Sequence, residues 1–268
     1  MIADLHIHSQ VSDGSFSAED ILAQAQAVGL THVAFTDHDT TENAQTHKSL
    51  AESYGLVAVT GVEMSAYDYE RHRKVHILGY GYSETAHIEA IGADTLRKRH
   101  NNCLKQIALL NELGYKVPAA EVAKLAGRTI YKQHILDYLL QSGQSELLFG
   151  DIYQHIFKNG GPCDFDIVYP PAEDCVRAIK ADGGLAVLAH PGQLDSYDAL
   201  PRLLAAGLDG IEYNHPSHSE RDRRQVAYLA EKHGLIMTGG SDFHGRYERQ
   251  TAPLGAYPAP ESAQALFM

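Results

Sequence analysis

No stretch of this 268-residue chain approaches 18 consecutive apolar residues, so no transmembrane helix is expected. The first residues lack a basic segment followed by an apolar one. That gives no sign of a secretory signal peptide and points to the cytoplasm. Basic residues are scarce, with 22 Lys and Arg against 34 Asp and Glu and a formal net charge of −12. A broad nucleic-acid-binding face needs clustered cations, so an extended nucleic acid is an unfavourable partner, while a short oligonucleotide stays admissible. Cys103, Cys163 and Cys175 show no CxxC spacing and are odd in number; they read as reduced thiols. Internal repeats and low-complexity tracts are also absent. The remainder, 44% apolar and 21% charged, can fill the core of one domain or of a large domain carrying a smaller insertion.

Short apolar runs alternate with amphipathic ones. "IADLHIH" reads as a strand, and "SAEDILAQAQAVGL" as a helix with Ser17 at its N-cap and Gly29 as its stop. "THVAFTDH", "LVAVTGVEMSA", "VHILGYGY", "LAVLAHPG", "DGIEYNHPS" and "LIMTGGSDFH" continue the strand series, with helices between most of them. Continuous apolar strands buried on both faces predict a parallel sheet. The count of seven predicts an α/β fold, a distorted seven-stranded (β/α)7 TIM-like barrel. Residues 95–165 break the rhythm with helices and no clear strand. The expected organisation is therefore a barrel from 1–94 and 166–268, with a helical insertion, 95–165, covering its mouth.

Histidine is abundant, at 16 residues, and its positions matter more than its number. In β/α barrels the chemistry sits at the C-terminal strand ends. His6 and His8 end the first strand, with an i, i+2 spacing that puts both rings on one side. Asp37, His38 and Asp39 end the second, Glu63 the third, and His76 lies on the fourth. His190 ends the fifth, the sixth reaches His215 and His218, and the last ends in Asp242 and His244. Asp13 lies in the loop after the first strand. One strand-end histidine is unremarkable, and Asp37 or Asp39 can equally cap the following helix. Such groups at every strand point to metal ligation. Mixed imidazole and carboxylate suits zinc, manganese or iron, and the ligands are too many for one ion, implying two or three divalent cations.

The motifs "DLHIHS", "SDGS", "FTDHD", "GVEMS", "VHILGY", "AHPG" and "GSDFH", in this order along most of the chain, resemble those of the PHP (polymerase and histidinol phosphatase) superfamily. The closest likeness is to its stand-alone phosphoesterases acting on nucleotides, which carry a helical insertion. The resemblance implies a distorted seven-stranded barrel holding up to three metals. It implies His6, His8, Glu63 and Asp242 around a first ion. Glu63 would bridge to a second ion held by His76 and His190, and Asp13, His38 and His244 would hold a third. "GRTIYKQH" implies that Arg128, Thr129 and His134 face substrate phosphates, and "PSHS" implies the same for His218. Where the subgroup commonly has "GKP", this chain reads "NGGPCDF" with Gly161, and Lys158 is the nearby substitute.

The expected activity is metal-dependent hydrolysis of a small phosphorylated metabolite: a nucleotide 3′,5′-bisphosphate, a sugar phosphate or a cyclic phosphate. Metal-bound hydroxide would attack phosphorus, His218 would protonate the leaving oxygen, Arg128 would clamp phosphate oxygens, and Asp37 or Asp39 would orient a ligand histidine. Competing readings are a carbon-centred hydrolase of amidohydrolase type, a 5′–3′ exonuclease on short oligonucleotides, and a catalytically silent metal-binding module. No strand-end lysine of the amidohydrolase kind is present. The oligomeric state is left open.

Overall fold

The computed structural model describes residues 1–247 and 252–268. The elements run β1 (Ala3–Ile7), α1 (Ala18–Ala27), β2 (His32–Phe35), α2 (Ala44–Ser53), β3 (Val57–Ala58), β4 (Gly61–Asp68) and β5 (Arg73–Tyr80). A helical stretch follows: α3 (Ala86–Glu112), α4 (Ala119–Leu125), α5 (Lys132–Gln141) and α6 (Asp151–Ile156). The chain ends with α7 (Ala172–Ala181), β6 (Leu185–Leu188), α8 (Pro191–Leu194), α9 (Leu200–Ala206), β7 (Gly210–Asn214), α10 (Glu220–His233) and β8 (Ile236–Gly239). Ser17 caps α1 as expected, its Oγ accepting from the Asp20 amide at 3.1 Å, a contact worth ~1 kcal/mol.

The fold is α/β, but its strands pair as two sheets where a distorted seven-stranded (β/α)7 barrel is expected. Among the described residues, eight strands divide into a three-stranded sheet, β1-β2-β3, and a five-stranded sheet, β4-β5-β6-β7-β8. The apolar run "LVAVTGVEMSA" holds two of them, β3 and β4, broken between Ala58 and Gly61. β5 runs antiparallel to both β4 and β6. The reason is local. Only four residues separate β4 from β5, too few for a parallel crossover. The Asp68 carboxylate also accepts from the Glu70 and Arg71 amides at 3.0 and 3.2 Å, which closes the turn. The reversal explains why His76 lies within its strand and not at its C-terminal end.

Packing follows the sheets. Ile7, Val33 and Phe35 bury against Ile21, Leu22 and Ala25 of α1. Val62, Ile77, Leu188 and Ile211 pack against Val176 and Ile179 of α7 and Val226 of α10. Between the sheets, Leu5, Ala34, Leu78, Tyr80 and Val187 form an interior cluster, where the buried Tyr80 hydroxyl donates to the Leu5 carbonyl at 2.7 Å. The helical stretch has its own core, including Ile107, Leu110, Ile135, Leu139 and Phe157. The boundary expected at residue 95 falls inside one continuous helix, α3, which starts at Ala86.

Candidate metal centre and cavity

The two sheets are joined at two seams, and the ligand motifs lie on them. At one, His8 N donates to Phe243 O at 2.9 Å and Phe243 N to His6 O at 3.3 Å. At the other, Asp39 N donates to Glu63 O at 2.9 Å and Glu63 N to Asp37 O at 3.3 Å. Strand ends from both sheets are thereby drawn into one space. Asp39, His190 and Asp242 hold φ of 58°, 24° and 51°. For residues with side chains such conformations cost on the order of 1–3 kcal/mol each, and they persist only where the surroundings impose them.

Glu63 is the centre. Its Oε2 lies 3.2 Å from His6 Nε2, 3.1 Å from His8 Nε2 and 3.3 Å from His38 Nδ1. Its Oε1 lies 2.7 Å from His76 Nδ1 and 2.9 Å from His190 Nε2. Asp242 Oδ1 approaches the same His6 and His8 nitrogens at 3.3 and 3.2 Å. Asp13 Oδ1 lies 3.3 Å from His244 Nε2 and 3.8 Å from His8 Nδ1, with its Oδ2 4.0 Å from His38 Nε2. All nine residues expected as ligands thus converge, in overlapping groups that share Glu63, His8 and Asp242.

The donors fit divalent cations. Among the described residues, His6 Nε2, both ring nitrogens of His8, His38 Nδ1, His190 Nδ1 and Asp13 Oδ1 are buried without a hydrogen-bond partner. Buried polar atoms are normally satisfied, and a metal ion satisfies these lone pairs together. The charge balance agrees. Burial opposes a charge on His8, yet Asp242 and Glu63 raise it to about 10. Burial likewise opposes a charge on His6, which Glu212, Glu63 and Asp242 raise well above the usual range. Glu63 and Asp242 are held well below theirs by the surrounding histidines, against burial. For His38 burial outweighs the carboxylates and pushes it down to about 3. The carboxylates demand positive charge at this point, and imidazole protons stand where cations would.

Glu212 was passed over in the sequence. Fully buried on β7, its Oε1 lies 2.9 Å from His6 Nδ1 and its Oε2 accepts from the His190 amide at 2.7 Å. One carboxylate therefore orients ligands of two groups. Its signal was an acid inside the apolar run "GIEYN". His215 was noted at a strand end without a role. Its Nδ1 accepts from the Ser217 amide at 3.1 Å, which leaves Nε2 as the donor toward Asp242 Oδ2 at 3.2 Å.

Above the ligands opens a cavity of about 620 Å³, walled on one side by α3 and α5. Several expected residues stand elsewhere. Arg128 does not line it; its side chain is 83% exposed and pairs with Glu42 at 3.2 Å. The missed arginine is Arg99 of α3. It lines the cavity, binds Asp39 Oδ2 at 3.0 Å and Ser65 Oγ at 2.8 Å, and lies 5.1 Å from the Tyr131 ring centre. Asp39 is thus a partner of arginine, and its Oδ1 accepts from the Ser65 amide at 2.7 Å. Asp37 accepts from Ser9 N, Ser9 Oγ and Ser12 Oγ at 2.8, 2.9 and 2.7 Å, fixing the loop that presents Asp13.

Thr129 and His134 are buried off the cavity. His134 Nδ1 accepts from the Tyr131 amide at 3.0 Å, which caps α5. His218 is also off the cavity: its Nδ1 faces the Tyr213 carbonyl at 2.9 Å, and its Nε2 accepts from Gly192 N at 3.2 Å. With both nitrogens engaged it is not placed to protonate a leaving group. Lys158 does line the cavity. Gly161 has no room for a side chain, since a Cβ there would lie 2.3 Å from the His155 carbonyl oxygen.

The PHP domain profile matches residues 4–182. A phosphoribosyl 1,2-cyclic phosphate 1,2-diphosphodiesterase of Eggerthella lenta is 48% identical over 252 residues, covering 93% of this chain and 96% of its own. A 3′,5′-nucleoside bisphosphate phosphatase of Chromobacterium violaceum is 31% identical, covering 90% of this chain and 86% of its own. The crystal structure of a protein from Bifidobacterium adolescentis, assigned as a metal-dependent phosphoesterase, superposes with a TM-score of 0.90 at 27% identity, covering 99% of this chain and 95% of its own.

Proposed function

We propose, from the premise that this chain belongs to the PHP family and is a metal-dependent phosphoesterase, that its substrate is a small sugar phosphate in cyclic diester form. The observation carrying the chemistry is the sharing of Glu63 and Asp242 between ligand groups at the floor of the cavity. The cyclic diester is supported by the substrate of the Eggerthella lenta relative, similar along nearly its whole length. A nucleotide 3′,5′-bisphosphate is the second reading. A cavity of about 620 Å³ is roomy for a pentose phosphate, and the Chromobacterium violaceum relative acts on that class.

In this reading His6, His8, Glu63 and Asp242 hold one divalent cation, and Glu63, His76 and His190 a second. Asp13, His38 and His244 hold a third. Manganese, zinc and iron all suit such donors. Ions held this way acidify water and draw charge from phosphate oxygens. The chain's own groups set the rest. Glu212 fixes the His6 ring, Asp37 fixes the Asp13 loop, and His215 holds Asp242. Arg99, aimed by Asp39 and Ser65, offers the guanidinium that neutralises a phosphate oxygen. Water attacks phosphorus, one P–O ester bond breaks, and the leaving oxygen is protonated. A carbon-centred amidohydrolase is disfavoured, because none of the described strands ends in a lysine.

The test is ester hydrolysis by manganese-loaded protein, followed by phosphorus NMR so that ring opening to a monoester is seen as well as free phosphate, on a pentose cyclic phosphate, an adenosine 3′,5′-bisphosphate and a short oligonucleotide. Wild-type protein should act on the first. Arg99→Met should lower kcat/KM by roughly tenfold to a hundredfold, the scale of a lost charged hydrogen bond, while Arg128→Ala stays near wild type. Silence on every compound, with metal bound stoichiometrically, would rule the reading out.

A further inference from the structure

Asp13, His38 and His244 stand in the segments that follow β1, β2 and β8, and all three are tied to a single helix of the inserted stretch. Gln133 of α5 donates its side-chain amide to Asp13 Oδ2 at 2.7 Å. Tyr131, at the N-cap of α5, donates its hydroxyl to the His38 carbonyl at 3.2 Å. Tyr247, three residues beyond His244, donates its hydroxyl to Asp137 Oδ2 of α5 at 2.7 Å. Its ring also meets that of His134 edge-on, with centres 6.0 Å apart. Other ligands take their positions from the sheets. Glu212 on β7 holds the His6 ring and the His190 amide, and His76 lies on β5 itself.

The two oxygens of Asp13 are divided between helix and site. Oδ2 accepts from Gln133, whereas Oδ1 faces His244 Nε2 and His8 Nδ1 and is buried without a hydrogen-bond partner among the described residues. Leaving such an atom unsatisfied is costly, and a cation removes the cost. The amide of Gln133 is a neutral donor, so it fixes the carboxylate without cancelling the charge that a cation needs. Gln133 also lies in the first turn of α5, where the helix dipole favours a nearby anion.

We propose that α5 closes the Asp13, His38 and His244 group, with Gln133 as its positioning residue, so that cation binding there and seating of α5 over the cavity are coupled. The inference rests on the three-ion reading above and deepens it. Coupling of this kind is reciprocal: whatever affinity the cation gains from a seated α5, the helix gains as resistance to local opening. The groups built around Glu63, Asp242 and Glu212 do not share this dependence, because strands hold them. Displacing α5 therefore opens one cation group and spares the other two.

The experiment titrates metal-free protein with manganese by calorimetry and follows backbone hydrogen exchange along α5 and α10 by mass spectrometry at each step. In wild-type protein one of three binding steps should slow exchange in α5 by roughly tenfold, within the usual range of coupling between sites. Exchange in α10, packed on β7 through Val226, should change far less at that step. Gln133→Met keeps the chain length and helix propensity but removes the donor. It should weaken the same step roughly tenfold to a hundredfold and leave the other two in place. Tyr247→Phe, which cuts the tie to Asp137, should weaken that step more mildly and carries the test if Gln133→Met fails to fold. Lys124→Gln, exposed on α4, should alter neither readout. Affinity or α5 exchange unmoved in the folded variant overturns the proposal, as does a loss spread evenly over every step. Saturation of wild-type protein at two equivalents also overturns it, with a two-ion phosphoesterase left standing. If manganese does not bind at all, the metal-dependent reading fails with it.

Discussion

Replacing one hydrogen at Gly92 tests how the helical stretch is coupled to the metal floor. Gly92 is buried on α3, and a Cβ built there would lie 2.2 Å from the Asp39 carbonyl oxygen and 3.0 Å from its carbon. Seven residues on, along the same helix face, Arg99 binds the Asp39 carboxylate. The helix thus touches the turn after β2 twice, through bare backbone and through a guanidinium. Two effects oppose each other in Gly92→Ala. Alanine is the better helix former by about 1 kcal/mol, so propensity alone predicts a more stable protein. The clash requires backbone to move by roughly 1 Å to reach ordinary contact, and overpacking of this kind costs about 1–3 kcal/mol. Because the obstructing atom is a carbonyl and not a flexible side-chain end, the clash wins. The expected net change is a loss of about 1 kcal/mol, read from the urea midpoint by circular dichroism. The turn also carries His38, so ester hydrolysis should fall as well, under conditions where the variant is fully folded. Stabilisation by about 1 kcal/mol with unchanged turnover would refute the coupling.

Glu212→Gln preserves shape while placing an amide donor against either His6 Nδ1 or the His190 amide. Metal affinity should fall roughly tenfold to a hundredfold, seen as reduced metal content after dialysis, with the fold intact by circular dichroism. The Lys74–Asp166 pair gives a pH dependence. Lys74 lowers Asp166 to about 2 against the effect of burial. The folded value is depressed, so the stabilisation is fully present above the unfolded carboxylate value and is lost as pH falls through the folded one. The stability gap between metal-free wild type and Lys74→Gln should therefore be widest near pH 6 and narrow below pH 4. A gap constant from pH 6 to pH 3 would show that the pair contributes no net stability.

Strand and helix alternation and the ligand motifs were legible because each is local. His6 and His8 announce themselves by spacing, and Glu63, His190 and Asp242 by ending apolar runs. The reversal of β5 was legible in principle, since four residues cannot carry a parallel crossover; periodicity marks a strand without giving its direction. The split of "LVAVTGVEMSA" into two strands was not, because nothing in its composition separates Ala58 from Gly61. Arg128 and His218 were placed in the site by the motifs around them. In the fold Arg128 is drawn to Glu42 at the surface, and the His218 ring is used to tie Tyr213 to Gly192.

The groups that sequence reasoning missed share a property: each acts across a long stretch of chain. Glu212 reaches His6 over 206 residues, and Arg99 reaches Asp39 over 60. Lys132 meets the β5 wall only because the helical stretch folds back over the cavity. No local pattern distinguishes Arg99 from its neighbours Arg97 and Lys98, which pair with Asp94 on the exposed side of α3. What sets it apart is burial beside Asp39, and that depends on where α3 lies. The division of labour follows from this. The candidate metal floor is built from strand ends of both sheets, whereas Arg99 and Lys132, which line the cavity above it, come from α3 and α5. A change at either cation can therefore alter which ester is bound while leaving the hydrolytic centre in place. Variants confined to those two side chains should accordingly shift substrate preference before they reduce metal content.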